Sequence, residues 1–329
     1  MLDPDELLHD RLLTAGPLIQ LSRSEEAGQP SEGLPTELSL SIAEVGFVLT
    51  SADPRIGFVL DEPTRRFLAP PSPDSFRFRV SLGRPPEGGT GQRVFDSGGS
   101  WTLSREGGDW IFEVFTPLNG KAPMRSARLD PDFSGGEIVL HESYYAGVTG
   151  VDPLSFPLAE LLVIQRLARS GGVELHACGL IDEGGRGLLF AGRSGDGKTT
   201  TAKLWAGRQG VTILSDDRIL LRRDGAGFSM HGTPWHGEGM FAANTSAPLS
   251  ALFLLEHGAA NEAVPLGEAE AVSGLLPRCF PPFYDRAGVE SVLETLSEMA
   301  RAVPCYRFPF VPDERAVALA RRTAADLCP

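Results

Sequence analysis

Along Ser75–Leu82 the apolar residues Phe76, Phe78, Val80 and Leu82 alternate with Arg77, Arg79 and Ser81. A period of two puts one face of a strand in a core and the other in water. Strands are predicted in the same way at Ser100–Ser104 and Asp109–Phe115, with Glu106-Gly107-Gly108 as the hairpin turn between them. Ser126–Leu129 and Glu137–His141 continue the pattern, and glycine pairs at Gly88-Gly89, Gly98-Gly99 and Gly135-Gly136 mark turns. Residues 46–150 therefore predict an antiparallel sheet. Phe76, Phe78, Trp101, Trp110 and Phe112 read as the core of that sheet rather than as a ligand pocket. Ahead of it, Leu7, Leu8, Leu12 and Leu13 predict a short helix whose N-terminus is the acidic stretch Asp3 to Glu6. Ser22–Pro35, rich in Ser, Glu, Gly and Pro, predicts a loop or linker, so that residues 1–45 are expected to be partly flexible.

The pattern changes near Val151. Leu158, Leu161, Leu162, Ile164 and Leu167 fall at helical spacing, with Pro157 near the first turn. Strands at Val173–Ile181, Gly187–Ala191, Val211–Ser215, Ile219–Arg222 and Leu252–Leu255 then mix with helices at Thr199–Ala206, Val289–Ala302 and Asp313–Leu327. The expected organisation is a β-rich domain over residues 1–150 and an α/β domain over 151–329.

Composition narrows the function classes. With 329 residues, 42% apolar, the chain can bury a large core. A net charge of −13 argues against nucleic-acid or anionic-membrane partners. No stretch reaches the ~18 apolar residues of a membrane span, and the acidic start Met1–Asp10 lacks a signal-peptide pattern. The four cysteines, Cys178, Cys279, Cys305 and Cys328, lack metal-ligand spacing and are expected as reduced thiols. The expected location is the cytoplasm.

Gly192-Arg193-Ser194-Gly195-Asp196-Gly197-Lys198-Thr199 fits G-x-x-x-x-G-K-[ST] at every fixed position. Glycines let the backbone curl so that successive N–H groups point at phosphate oxygens. Lys198 adds a charge for the β- and γ-phosphates, and the Thr199 hydroxyl suits Mg²⁺. The following helix aims its positive end at the same anion. Leu188-Leu189-Phe190-Ala191 supplies the strand before the loop, and Thr200–Trp205 the helix after it. The expected ligand is ATP with Mg²⁺, held by Gly192, Ser194, Gly195, Asp196, Gly197, Lys198, Thr199 and Thr200. Arg193 and Asp196 fill variable positions and are expected to point outward.

Asp216-Asp217 ends the strand Val211–Ser215. A helix of about nine residues leads ~14 Å away from the loop, and a strand of about five returns ~16 Å. A crossover therefore brings both carboxylates back to the phosphate loop. One can serve the metal and the other a hydroxyl proton; the alternative is an acidic turn pairing with Arg218 or Arg222 at the surface. His176, on an apolar strand, reads either as a core histidine or as a site residue.

A phosphate loop followed so closely by Ser215-Asp216-Asp217-Arg218 resembles the catalytic domain of HPr kinase/phosphorylase and, more distantly, ATP-dependent phosphoenolpyruvate carboxykinase. The resemblance spans roughly residues 156–325 and includes Leu175-His176-Ala177-Cys178-Gly179-Leu180 and Gly232-Thr233-Pro234-Trp235-His236-Gly237-Glu238. It does not extend to the first 150 residues. It implies a P-loop domain of that type after a smaller β-rich domain, with Thr199, Asp216 and Glu238 toward the metal and Asp217, His176 and Arg278 catalytic. Asp217 would be the base, His176 near it or the γ-phosphate, and Arg278 a stabiliser of transferred charge. The division between Asp216 and Asp217 stays open. The implied activity is a kinase acting on a hydroxyl, favouring Ser or Thr of a peptide or small protein, and the resemblance admits a homo-oligomer. A non-catalytic ATP sensor and a small-molecule phosphotransferase are the alternatives. The N-terminal module is expected to present or select the acceptor.

Overall fold

Eight strands of the N-terminal half form one sheet in the computed structural model, which describes residues 33–85, 91–119, 122–148 and 150–326. The expected helix around Leu7–Leu13, the acidic start Asp3–Glu6, most of Ser22–Pro35, Gly88-Gly89 and Cys328 lie outside the described residues. The chain divides into two compact units, Met1–Leu162 and Val163–Pro329.

In the first unit the strands are β1 (Glu37–Ile42), β2 (Val45–Thr50), β3 (Phe76–Gly83), β4 (Gln92–Asp96), β5 (Trp101–Glu106), β6 (Asp109–Val114), β7 (Arg125–Leu129) and β8 (Gly135–His141), with a short helix α1 (Glu62–Arg65) before β3. They run β1-β2-β3-β8-β7-β6-β5-β4 across the sheet. The predicted β5–β6 hairpin is present, and Gly107 and Gly108 take left-handed φ of 60° and 103° at its turn. Two features correct the expectation. β1 and β2 occupy 37–50, so the sheet begins ahead of the expected residue 46. The sheet is also mixed, because β3 pairs in parallel with both β2 and β8. Alternation fixes which face of β3 is buried but is silent on strand direction. Direction is set by the chain that intervenes, here the β4–β7 meander between β3 and β8. Phe76, Phe78, Trp101 and Phe112 are core residues, while Trp110 is half-buried beneath the Arg105 guanidinium.

Arg125 of β7 is fully buried. Its guanidinium donates to the Asp152 carbonyl at 3.2 Å, the Ser155 hydroxyl at 2.5 Å and the Phe156 carbonyl at 2.9 Å, and also to the Ser155 carbonyl. Burial pushes the Asp152 carboxyl up to about 6, against the pull of Arg125. Arg125→Met strips these buried acceptors of their donor. The expected loss is about 3 kcal/mol of stability, read as a lower urea midpoint at unchanged slope.

The second unit begins within α2 (Leu158–Ala168) and continues with β9 (Gly172–Ile181), β10 (Gly187–Ala191), α3 (Lys198–Trp205), β11 (Thr212–Ser215), β12 (Arg218–Asp224), β13 (Gly227–His231), β14 (Ser246–His257), β15 (Val264–Pro265), α4 (Glu268–Leu275), α5 (Arg286–Ala302), β16 (Cys305–Phe310) and α6 (Glu314–Ala325). β10 lies between β9, antiparallel, and β14, parallel, and β14 is parallel to β16. The long strands β9 and β14 divide their pairing: β9 also pairs with β12 and β11, and β14 with β13. β10 alternates into two cores. Leu188 and Phe190 pack with α3 and α6 residues such as Ala202, Trp205 and Val317. Leu189 and Ala191 share a core with α4 and α5 residues such as Leu275, Val292 and Leu296. Both faces are therefore covered, which is why β10 reads as a continuous apolar run. Among the described residues no helix is long and apolar enough to cross a membrane.

Candidate functional site

The carboxyl end of β10 feeds directly into the loop Gly192–Gly197 and then α3. Gly195 and Gly197 take left-handed φ of 87° and 97°. At Gly197 a Cβ would also stand 2.8 Å from the Phe310 ring, so this position excludes side chains twice over. Gly192 N donates to the His176 carbonyl at 3.3 Å and anchors the loop to β9. Gly197 caps α3 without a side-chain acceptor, which leaves the helix's positive end to an anion. Lys198 is buried, and its Nζ donates to the Arg193 carbonyl at 2.9 Å across the loop.

Arg193, Ser194, Gly195 and Thr200 are exposed. Asp196 does not point outward as expected. Its Oδ2 accepts from Arg193 N at 2.6 Å and lies 3.5 Å from the Arg278 guanidinium. Arg278 is thereby placed at the loop, with a second bond to the Gly274 carbonyl at 2.5 Å. Another contact had no sequence signal: His257 Nε2 lies 3.1 Å from the Gly195 carbonyl. His257 ends β14, and only the β10–β14 pairing brings it near.

Asp216 is wholly buried. One oxygen accepts from the Thr199 hydroxyl and Gly239 N, each at 2.9 Å, and the other from Gly237 N at 3.0 Å. A Cβ on Gly237 would lie 2.9 Å from this carboxylate and one on Gly239 2.7 Å, so the amides reach Asp216 only because both residues are glycine. The Trp235–Gly239 segment thus serves the site through its main chain. Glu238 itself is exposed, with no side-chain hydrogen bond or ion pair among the described residues.

Asp217 faces different partners. His176 Nε2 lies 2.9 Å from its Oδ1, and the Arg218 guanidinium holds Oδ2. Arg218 is buried, not a surface residue. It sits 3.4 Å from Glu174 and 4.4 Å above the Phe280 ring. The β9–β12 register sets His176 opposite Arg218, and Ala177 N donates to the Asp217 carbonyl at 3.0 Å. The Ser215 hydroxyl shapes the turn, accepting from Asp217 N and Arg218 N and donating to the Trp235 carbonyl. Burial lowers His176 to about 4, so at neutral pH it is uncharged and its Nε2–H donates to the carboxylate. Burial opposes ionisation of Asp217, but Arg218, the His176 hydrogen bond and Lys198 outweigh it and hold the carboxyl well below the usual range.

Burial also lowers the Lys198 ammonium to about 8, against Asp217 and Asp196. A phosphate ligand favours the charged form, so anion binding carries a proton uptake that grows as pH rises past 8. ATP affinity measured by calorimetry should be nearly flat from pH 6.5 to 7.5. Above about pH 8 it should fall toward tenfold per unit. A flat profile to pH 9 would contradict the placement of Lys198 at the phosphates.

Among the described residues no three His, Cys, Asp or Glu side chains gather into a metal cluster. Mg²⁺ needs none: it keeps several waters and takes one or two protein oxygens beside the phosphates. The Thr199 hydroxyl and Asp216 carboxylate, 2.9 Å apart at the loop, fit that demand.

A family model described as SynChlorMet cassette protein ScmC matches residues 152–281. A search of curated proteins finds no match. Among solved structures the chain is similar to the Hpr(Ser) kinase/phosphatase from Coxiella burnetii, at 13% identity and a TM-score of 0.28, over 46% of this chain and 95% of that one. A likeness that distant leaves the chemistry to be argued from the residues.

Proposed function

We propose that the unit Val163–Pro329 binds ATP with Mg²⁺ and transfers the γ-phosphoryl group to a hydroxyl, with a Ser or Thr of a peptide or small protein as acceptor. The observation that carries this reading is the division of labour between consecutive aspartates: Asp216 bonds Thr199 of the loop, and Asp217 bonds His176 and Arg218. A site built only to hold a nucleotide needs the first and not the second. Lys198 and the loop amides bind the phosphates, and Thr199 and Asp216 would hold the metal, which when bound neutralises charge on the β- and γ-phosphates. Asp217 orients the acceptor hydroxyl and takes its proton late. A strongly acidic carboxyl suffices for this, because the loose transition state of phosphoryl transfer asks little of the base. Arg278, through Asp196, keeps the loop in shape.

A non-catalytic ATP sensor is the second reading. The tight pairing of Asp217 favours it, since a carboxylate held by two donors is a weak base. Incubation of the purified protein with γ-labelled ATP, Mg²⁺ and a pool of Ser- and Thr-containing peptides separates the two. Label in peptide supports the kinase; bound nucleotide with no transfer to any acceptor supports the sensor.

A further inference from the structure

Strand β10 separates two sides of the phosphate loop. Asp216 and Asp217 lie on the β9 side, because β11 and β12 pair with β9. On the other side β14 runs parallel to β10, so both strands end at the same edge of the sheet, where ligands of open α/β sheets bind. The last residue of β14 is His257, and its Nε2–H donates to the Gly195 carbonyl at 3.1 Å. The rest of the side chain is exposed and makes no ring contact among the described residues. An aromatic ring is therefore fixed at the loop by one nitrogen, on the side away from the aspartates.

The turn that follows His257 is anchored at both ends. Gly258 N donates to the Phe310 carbonyl at 3.3 Å, and Asn261 accepts from Val311 N at 2.7 Å and donates to Asp313 at 3.0 Å. Between these anchors Ala259 and Ala260 are exposed, and their main-chain groups form no hydrogen bond among the described residues. With Leu319 and Arg322 of α6 they line a cavity of about 320 Å³. The surface next to His257 in the chain is thus concave, preformed and provided with open main-chain donors and acceptors, the make-up of a small-molecule site. A nucleotide whose metal and γ-phosphate lie toward the aspartates sends its nucleoside to the opposite side, since the acceptor hydroxyl needs the aspartate side. We propose that the His257 ring stacks on the purine base of bound ATP while its Nε2–H braces the loop, and that the Ala259–Ala260 turn lies against the nucleoside.

This rests on the reading that the loop binds ATP, and the test keeps the two apart. Mg·ATP and Mg·tripolyphosphate, which carries the phosphates without the nucleoside, are titrated by calorimetry into the full chain and into His257→Gln and His257→Phe. Glutamine keeps an N–H for Gly195 but has no ring; phenylalanine keeps a ring but has no N–H. His257→Gln should bind Mg·ATP about tenfold more weakly, the scale of one base stacked on an aromatic side chain. Its affinity for Mg·tripolyphosphate should be unchanged, and His257→Phe should recover most of the loss for Mg·ATP. An equal fall for both ligands in His257→Gln would make the residue a brace for the loop alone and overturn the proposal. Unchanged Mg·ATP affinity in that variant, or no recovery in His257→Phe, would overturn it as well. If the unaltered chain bound neither ligand, the ATP reading itself would fall and take the proposal with it.

Discussion

Asp217→Asn should bind Mg·ATP as the unaltered protein does and transfer phosphoryl about a thousandfold more slowly, the usual scale for loss of a positioned general base. Asparagine keeps the side chain's size and one acceptor oxygen, so His176 can still donate to it. Arg218 keeps Glu174 at 3.4 Å and the Phe280 face, which argues for a folded variant. What is lost is the negative charge beside the acceptor hydroxyl. Single-turnover transfer from γ-labelled ATP reads the effect, and calorimetry reads the retained affinity. Transfer at the original rate would remove Asp217 from the reaction. Loss of nucleotide binding would place it among the groups that hold the Mg·ATP complex.

Lys198→Ala carries the second large effect. The ammonium is buried and its ionisation is disfavoured by that burial, so the folded protein bears a cost for it when no anion is present. Removing it should leave thermal stability unchanged or raise it. Affinity for Mg·ATP should fall on the order of a hundredfold, about 3 kcal/mol for one charge-assisted contact in a dry site. A structural lysine would show the reverse, a lower melting temperature with binding intact.

The loop and its flanking elements were legible because their physics is local. Glycine at 192, 195 and 197 and a lysine at the helix start are set by backbone curvature and charge within eight residues. The return of Asp216 was legible from element lengths, although β11 reaches the loop by pairing with β9 rather than with β10. The remaining site features depend on contacts distant in sequence. Gly237 and Gly239 sit more than twenty residues beyond Asp216, and nothing in Gly-Glu-Gly announces that its amides serve a carboxylate. The eye is drawn to the acid between them, yet Glu238 points to solvent. Arg218 looks like a surface arginine until the β9–β12 register sets it against Glu174 and Phe280. In the fold, the sequence reading missed β16, α4 and the full length of β14. Cys305–Phe310 holds a proline and an arginine within its apolar run, and Glu268–Leu275 is a short helix with only Ala271 and Leu275 buried. Tertiary packing decides such elements more than local pattern.

Titration calorimetry of the whole chain with Mg·ATP tests the central claim most directly. The account predicts one nucleotide per chain, with heat that disappears below saturation levels in Lys198→Ala while that variant stays folded. No heat from Mg·ATP or Mg·GTP up to millimolar concentration, on material with a cooperative unfolding transition, would contradict it.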